Sequence, residues 1–186
     1  MILPIYAYGQ PVLRKKAQAI EPDYKDLTAL IDDMYQTMYS AKGVGLAAPQ
    51  IGKDIRLFVM DTLQLAKTEK KMMGGVKKVF INAQMLDESG EPWLYEEGCL
   101  SIPDIHVEIE RLPEIRIRYF DQEWVEHTET FEGMNARVIQ HEYDHIEGVL
   151  FIDRMKPLKR RMINRKLEKI KRGDIDAGHP MRFVSP

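Results

Sequence analysis

The sequence predicts an α+β fold: antiparallel β-sheet segments around a central helix that carries two histidines, with further helices toward the N- and C-terminal ends. Three observations point there. Leu27, Leu30, Ile31, Met34, Tyr35 and Met38 recur at i, i+3, i+4, i+7, i+8 and i+11, the stripe of an amphipathic helix. The middle of the chain reads as a series of short strands. From Gly133 the period becomes helical, with Met134, Val138, His141 and His145 on one face.

Taken in order, residues 1–20 read as extended chain with a turn at Gly9-Gln10-Pro11. The first helix should stop before Gly43, and Gly43 to Gln50 reads as a loop of small residues. Arg56 to Asp61 and Val76 to Asn82 read as strands, separated by a polar, lysine-rich stretch, Gln64 to Gly75, expected to be a mobile loop. Glu108 to Glu110, Glu114 to Phe120 and Trp124 to Phe131 read as antiparallel strands, with Asp121-Gln122 at the turn between the last two. Gly148 is placed to end the histidine helix. A last helix is expected from about Leu158 to Lys171, with Ile163, Leu167 and Ile170 inward. The expected organisation is one catalytic domain over residues 1–155, with a basic helix and tail over 156–186 packed on it.

Composition excludes several classes. Hydrophobic residues make up 44% and charged residues 30%, ordinary values for an enzyme in solution. A net charge of −2 gives no general case for nucleic acid, and DNA is not an expected partner. No apolar run approaches the roughly 20 residues of a membrane span. The start, Met1-Ile2-Leu3-Pro4, shows no signal-peptide pattern. Cys99 is the single cysteine, so no internal disulfide forms, and a reducing, cytoplasmic setting fits best.

The chemistry centres on His141-Glu142-Tyr143-Asp144-His145. Side chains four apart share a helix face, so both imidazoles can reach one cation. Glu142 lies about 100° round the axis from His141, where it can meet a water without being a ligand. That suits hydrolysis: the carboxylate takes a proton from a water that the cation acidifies, and the hydroxide attacks a carbonyl. Glu142 is therefore the candidate general base, and then the acid that protonates the leaving amine.

Catalytic sites of this kind normally have a third protein ligand. A metallopeptidase with a third histidine three residues after Gly148 is excluded, because Phe151 stands there. A glutamate on a later helix is the second option, and Glu168 is its candidate, although it sits in a basic run. Cys99 is the third: in Glu97-Gly98-Cys99-Leu100-Ser101 it is either a ligand or a small buried apolar group.

Three segments in the same order resemble the motifs of the peptide deformylases: Gly43-Val44-Gly45-Leu46-Ala47-Ala48-Pro49-Gln50, Glu97-Gly98-Cys99-Leu100-Ser101 and Gln140-His141-Glu142-Tyr143-Asp144-His145. Supporting resemblance runs from Pro11-Val12-Leu13-Arg14 to Phe151-Ile152-Asp153, and the end resembles the C-terminal helix of the bacterial type 1 enzymes. The resemblance implies removal of the formyl group from the formylmethionine of new polypeptides, with release of formate. It implies that Cys99, His141 and His145 hold one divalent ion. The implied physiological ion is Fe(II), with zinc, nickel or cobalt as substitutes; spacing alone favours zinc. It also implies that Gln50 and the amide N–H of Leu100 stabilise the oxyanion, and that the backbone of Gly45 holds substrate. The alternative is a metallopeptidase that cleaves peptide bonds. Three departures from the family's pattern concern loop geometry and pocket shape: Ala83 after Ile81-Asn82, the long Gln64 to Gly75 stretch, and Asn135 at an ordinarily apolar position.

Met134 and Val138 precede His141 on its helix face and can line a methionine slot, closed by Val44; plain core packing accounts for the same positions. Glu97 and Arg137 are candidate partners of the ligands. His106, His127 and His179 lack ligand spacing and read as surface or strand residues. Between Lys156 and Arg172 the nine cations Lys156, Lys159, Arg160, Arg161, Arg165, Lys166, Lys169, Lys171 and Arg172 face one acid, Glu168. This is either a solvated helix face or a surface for ribosomal RNA near the nascent-chain exit.

Overall fold

The structure, a computed structural model, describes residues 1–66 and 74–184. Helix α1 (Leu27–Ser40) follows a short strand β1 (Ile5–Tyr6) and a single 3-10 turn, Pro11–Arg14. It buries Leu27, Ile31, Met34 and Met38, the predicted stripe. Chain reversal at Gly43 leads into β2 (Gly45–Ala47) and a 3-10 turn, Ala48–Ile51. The expected loop of small residues is thus a buried strand and a turn, and its small side chains allow close packing rather than irregular chain.

Strand β3 (Leu57–Asp61) is buried at every position. Alternation sends Leu57 and Val59 into a core shared with Ile31 and Met34 of α1, and Phe58 and Met60 into a second core on the opposite face. A strand covered on both sides reads as a continuous apolar run, as Leu57-Phe58-Val59-Met60 does. A short helix α2 (Leu63–Ala66) follows, so the predicted loop begins as helix; residues 67–73 of that loop lie outside the described residues. Strand β4 (Lys77–Ser89) runs well past the predicted end at Asn82. Asn82 takes a left-handed backbone conformation, φ 52°, at a register shift between Ile81 and Gln84. Its side chain accepts from Ile20 N–H (3.0 Å) and donates to the Ile20 carbonyl (2.8 Å), so the bulge is held.

Strands β5 (Trp93–Cys99) and β6 (Ile102–Arg111) pair antiparallel as a separate two-stranded sheet. The predicted Glu108–Glu110 strand is part of β6, and its partner is β5 rather than the next strand. Strands β7 (Glu114–Phe120) and β8 (Glu126–Glu132) complete a five-stranded sheet in the order β2-β3-β4-β7-β8, with the predicted turn between them.

Helix α3 (Gly133–Ile146) lies on the second face of this sheet. Its Ala136, Ile139 and Ile146 pack with Phe58, Phe80, Ile117 and Tyr119. Gly148 ends the segment in a left-handed conformation, φ 74°. A third core joins Ile102, Ile105 and Ile109 of β6 to Leu13, Phe151, Leu167 and Ile170.

The expected last helix is two: α4 (Pro157–Met162), which buries no residue, and α5 (Asn164–Arg172), which buries Leu167 and Ile170. The break falls at Ile163, the shared cap of the two helices, where φ −96° and ψ −2° depart from ideal α-helix values. Burial of two aliphatic side chains is worth about 1.5–3 kcal/mol each and seats α5 on β6. After Gly173 the chain turns back, and β9 (Met181–Arg182) pairs parallel with β1. Among the described residues no helix is long and apolar enough to cross a membrane.

Candidate metal centre

Cys99 closes β5 beside a register shift that brings it opposite Ile102, while His141 and His145 sit one turn apart on α3. Docking of α3 against the β5–β6 sheet brings the three together. Their nearest ligand atoms lie within 4.8 Å of one another, and they form the one such histidine, cysteine or carboxylate group found among the described residues. Cys99 Sγ is 3.3 Å from His145 Nε2. Bonds of about 2.3 Å to sulfur and about 2.1 Å to nitrogen, at a tetrahedral angle, place such atoms about 3.6 Å apart. A divalent cation therefore fits with little adjustment. Glu168, the alternative third ligand, is exposed on α5 and is not part of this group, and Phe151, which excluded a third histidine, packs its ring 5.8 Å from the His141 ring.

Ring orientation is set from behind. His141 Nδ1 donates to Glu97 Oε2 at 3.0 Å, which turns Nε2 toward the cysteine. Burial lowers the His141 pKa, but hydrogen bonds to Cys99 and Glu97, with the Cys99 and Glu142 charges, raise it well above its ordinary value. The same negative surroundings that favour a proton on this ring favour a cation in its place. Burial and the charges of His141 and Arg111 push His145 well below its ordinary value, leaving the neutral ring that a ligand must be.

Glu97 is the hub of this support. Arg111 donates to it through Nε (2.7 Å) and Nη2 (3.0 Å), and Arg137 through Nη1 (2.6 Å). Burial would raise its pKa, but the bonds from His141 and Arg111 hold the carboxyl far below its usual range. Arg111 continues to Asp144 at 2.9 Å, and Asp144 also receives Arg154 (2.7 and 2.6 Å). Arg137 spans further, to the carbonyls of Ile109 (3.0 Å) and Trp93 (2.7 Å). Glu97 and Arg137 are legible in the sequence as partners; Arg111, Asp144 and Arg154 are not. Asp144 lies between the two histidines, beside a helix face read as buried, which is a usable signal; Arg111 reads as one more strand charge.

Because Arg111 bridges two buried carboxylates, Arg111→Met is expected to destabilise the fold by about 3–5 kcal/mol, the usual effect of stripping one partner from a buried ion pair. A lowered urea midpoint with an unchanged slope would report it, and an unchanged midpoint would refute it.

Glu142 is 4% exposed. Burial pushes its carboxyl up to about 7, against the opposing charge of His141. A carboxyl near neutrality is suited to proton exchange. It packs against Gly45: a Cβ added there would come within 2.7 Å of Glu142 Cδ, so only glycine leaves this room. Gln50 is held by its oxygen, which accepts from Ala47 N–H at 2.9 Å. That fixes the amide so its nitrogen points at Ser101 Oγ (3.3 Å) and Cys99 Sγ (3.5 Å).

A cavity of about 410 Å³ opens onto this group, within the size range of ligand pockets. Val44, Gly45, Gln50, Leu100, Met134 and Val138 all line it, as do Cys99, His141 and Glu142; His145 lies behind them, 1% exposed. His106, an exposed strand residue of β6 as read, and His179 line it too, although neither is a sequence-predicted site residue. Asn135, one of the departures, joins Thr62 Oγ1 (2.5 Å) and the Gly74 carbonyl (2.9 Å), tying α3 to both sides of the loop after β3.

Comparison with known proteins finds one family. A family profile described as polypeptide deformylase matches residues 2–161. The chain is 52% identical over 189 residues to a peptide deformylase of Christiangramia forsetii, covering 98% of this chain and 96% of that one. It is 51% identical over 191 residues to one of Flavobacterium johnsoniae, covering 100% and 97%. Among solved structures, the peptide deformylase from Thermus thermophilus superposes with a TM-score of 0.82 at 38% identity, over 93% of this chain and 99% of that one. The one from Legionella pneumophila gives 0.80 at 39% identity, over 94% and 98%.

Proposed function

The chain belongs to the peptide deformylase family, and on that premise we propose that Cys99, His141 and His145 hold its metal ion while Glu142, Gln50 and Leu100 carry out the proton transfer and charge stabilisation. The family's reaction is metal-dependent hydrolysis of the formyl amide on an N-terminal methionine, releasing formate, and this chain is a hydrolase of that kind. The observation that carries the residue assignment is the convergence of one sulfur and two ring nitrogens, with a buried carboxylate beside them and an open cavity in front.

A divalent ion bound there supplies Lewis acidity and lowers the pKa of a water. Glu142 is placed to take a proton from the attacking water and to deliver it to the departing amine. The Gln50 amide, whose oxygen is already engaged, donates to the formyl oxygen as it gains charge, and the Leu100 N–H donates from the other side. Val44, Met134 and Val138 supply the apolar wall for the methionine side chain, and Gly45 offers backbone to the peptide while leaving Glu142 its space. Fe(II) is the proposed physiological ion, with zinc, nickel or cobalt as substitutes. Oxidation of such an ion, or of the Cys99 thiol, would end activity.

Formate release from formyl-Met-Ala-Ser, followed with enzyme prepared without oxygen, tests the reading. Turnover by the parent chain is expected, and its absence would discard the assignment. Cleavage of internal peptide bonds, the alternative, is not favoured by the family.

We place the enzyme in the cytoplasm, where formylated chains emerge, and assign the basic face of α4 and α5 to ribosome contact. Its cations are outward: Lys159, Arg161, Arg165, Lys166 and Lys169 are all exposed. Changing those five to Glu should reduce co-sedimentation with ribosomes and flatten its salt dependence, with tripeptide turnover intact. Equal co-sedimentation before and after would remove the idea.

A further inference from the structure

The turn at Cys99–Ile102 carries both the thiol and the Leu100 amide, and it is held from outside β5 and β6. The Ser101 carbonyl accepts from Tyr8 N–H at 2.9 Å, and Ser101 Oγ receives Gln50 at 3.3 Å. One residue earlier the Leu100 carbonyl pairs with His179 Nε2 at 3.2 Å. The acceptor is a carbonyl, so this ring nitrogen carries the hydrogen and donates.

His179 comes from a part of the chain that the family profile does not reach, since that match ends at residue 161. It is nonetheless placed firmly. The next residue, Pro180, accepts through its carbonyl from Ile5 N–H at 2.9 Å. Met181 and Arg182 then pair with Ile5 and Tyr6. Gln10 Nε2 donates to the Phe183 carbonyl at 2.6 Å. Behind it, Phe183 packs over Gly173, where the chain leaves α5. The returning segment is a strap fastened at both ends, and between the fastenings Ala177 and His179 form part of the cavity wall.

We infer that His179 is a positioning residue for deformylation: by holding the Leu100 carbonyl it restrains the Leu100–Ser101 peptide plane, and through the Leu100 backbone it limits how far the Leu100 amide, on the preceding plane, can swing from the reacting oxygen. This rests on the reading in which that amide stabilises the oxyanion. A turn free to rock would leave the amide misaligned at the moment charge develops, and the loss would fall on the chemical step rather than on binding.

The test compares His179→Ala with His179→Gln, whose side-chain N–H sits where Nε2–H did, and runs Gln50→Ala alongside. Formyl-Met-Ala-Ser kinetics, bound metal and thermal unfolding are measured for each. His179→Ala should lose about tenfold in kcat with KM within about twofold of the parent, and with metal content and Tm retained. His179→Gln should recover most of kcat. Parental kcat in His179→Ala, or equal loss in both His179 variants, would overturn the role of His179. Parental kcat in Gln50→Ala would overturn the oxyanion reading beneath it, and a silent parent chain would overturn the site assignment as a whole.

Discussion

Glu142→Gln should lower kcat/KM for formyl-Met-Ala-Ser by about 10²–10⁴, the range a positioned general base contributes, while the protein still binds one metal equivalent. The substitution keeps the shape of the side chain, so the contact with Gly45 and the packing of α3 survive. What disappears is the capacity to accept a proton. Because Glu142 is not among the three converging groups proposed to hold the ion, metal analysis of the purified variant should match the parent. Retained turnover would show that the proton goes elsewhere. Lost metal would show that Glu142 is a ligand, which the geometry does not suggest.

Cys99→Ala should fail in the opposite way. It removes the sulfur that lies 3.3 Å from His145 Nε2 and leaves two imidazoles. Two neutral ligands without the thiolate charge hold a divalent ion weakly. Formate release should drop to background, and the metal should be lost on dialysis. The Glu97 support should persist, because its bonds to Arg111, Arg137 and His141 do not involve the thiol. A Cys99→Ala protein that kept a full metal equivalent would refute the ligand assignment. Together the two variants separate the group that moves the proton from the group that holds the ion.

Much of this is legible because helices advertise themselves. The apolar stripes of α1 and α3 are strict, so the sequence places both to within a few residues, and the histidines come with the second. The strands are harder for particular reasons. β4 passes through a bulge at Asn82 and then becomes largely exposed, so its far half carries no apolar alternation. β5 buries one residue fully, and that residue is Glu97, a charge. Inward-facing Glu97, Arg111 and Arg137 are joined by ion pairs in three dimensions, and of the three only Arg111 is taken in a linear reading for one more solvent-facing strand charge. β2 reads as a loop because Gly45 and Ala47 are small, yet small is what the approach of Glu142 demands. His179 is invisible as a site residue because nothing local announces that the chain returns 79 positions to meet Leu100.

The pairing of Ile5–Tyr6 with Met181–Arg182 has a consequence for biogenesis. Synthesis is vectorial, so β1 emerges first and must wait for β9 before its ladder can form. Closing so wide a loop is entropically costly and slow compared with local helix formation. The ladder between β1 and β9 can therefore form only once residue 182 has been translated, whereas α1 is built from contacts within 14 consecutive residues.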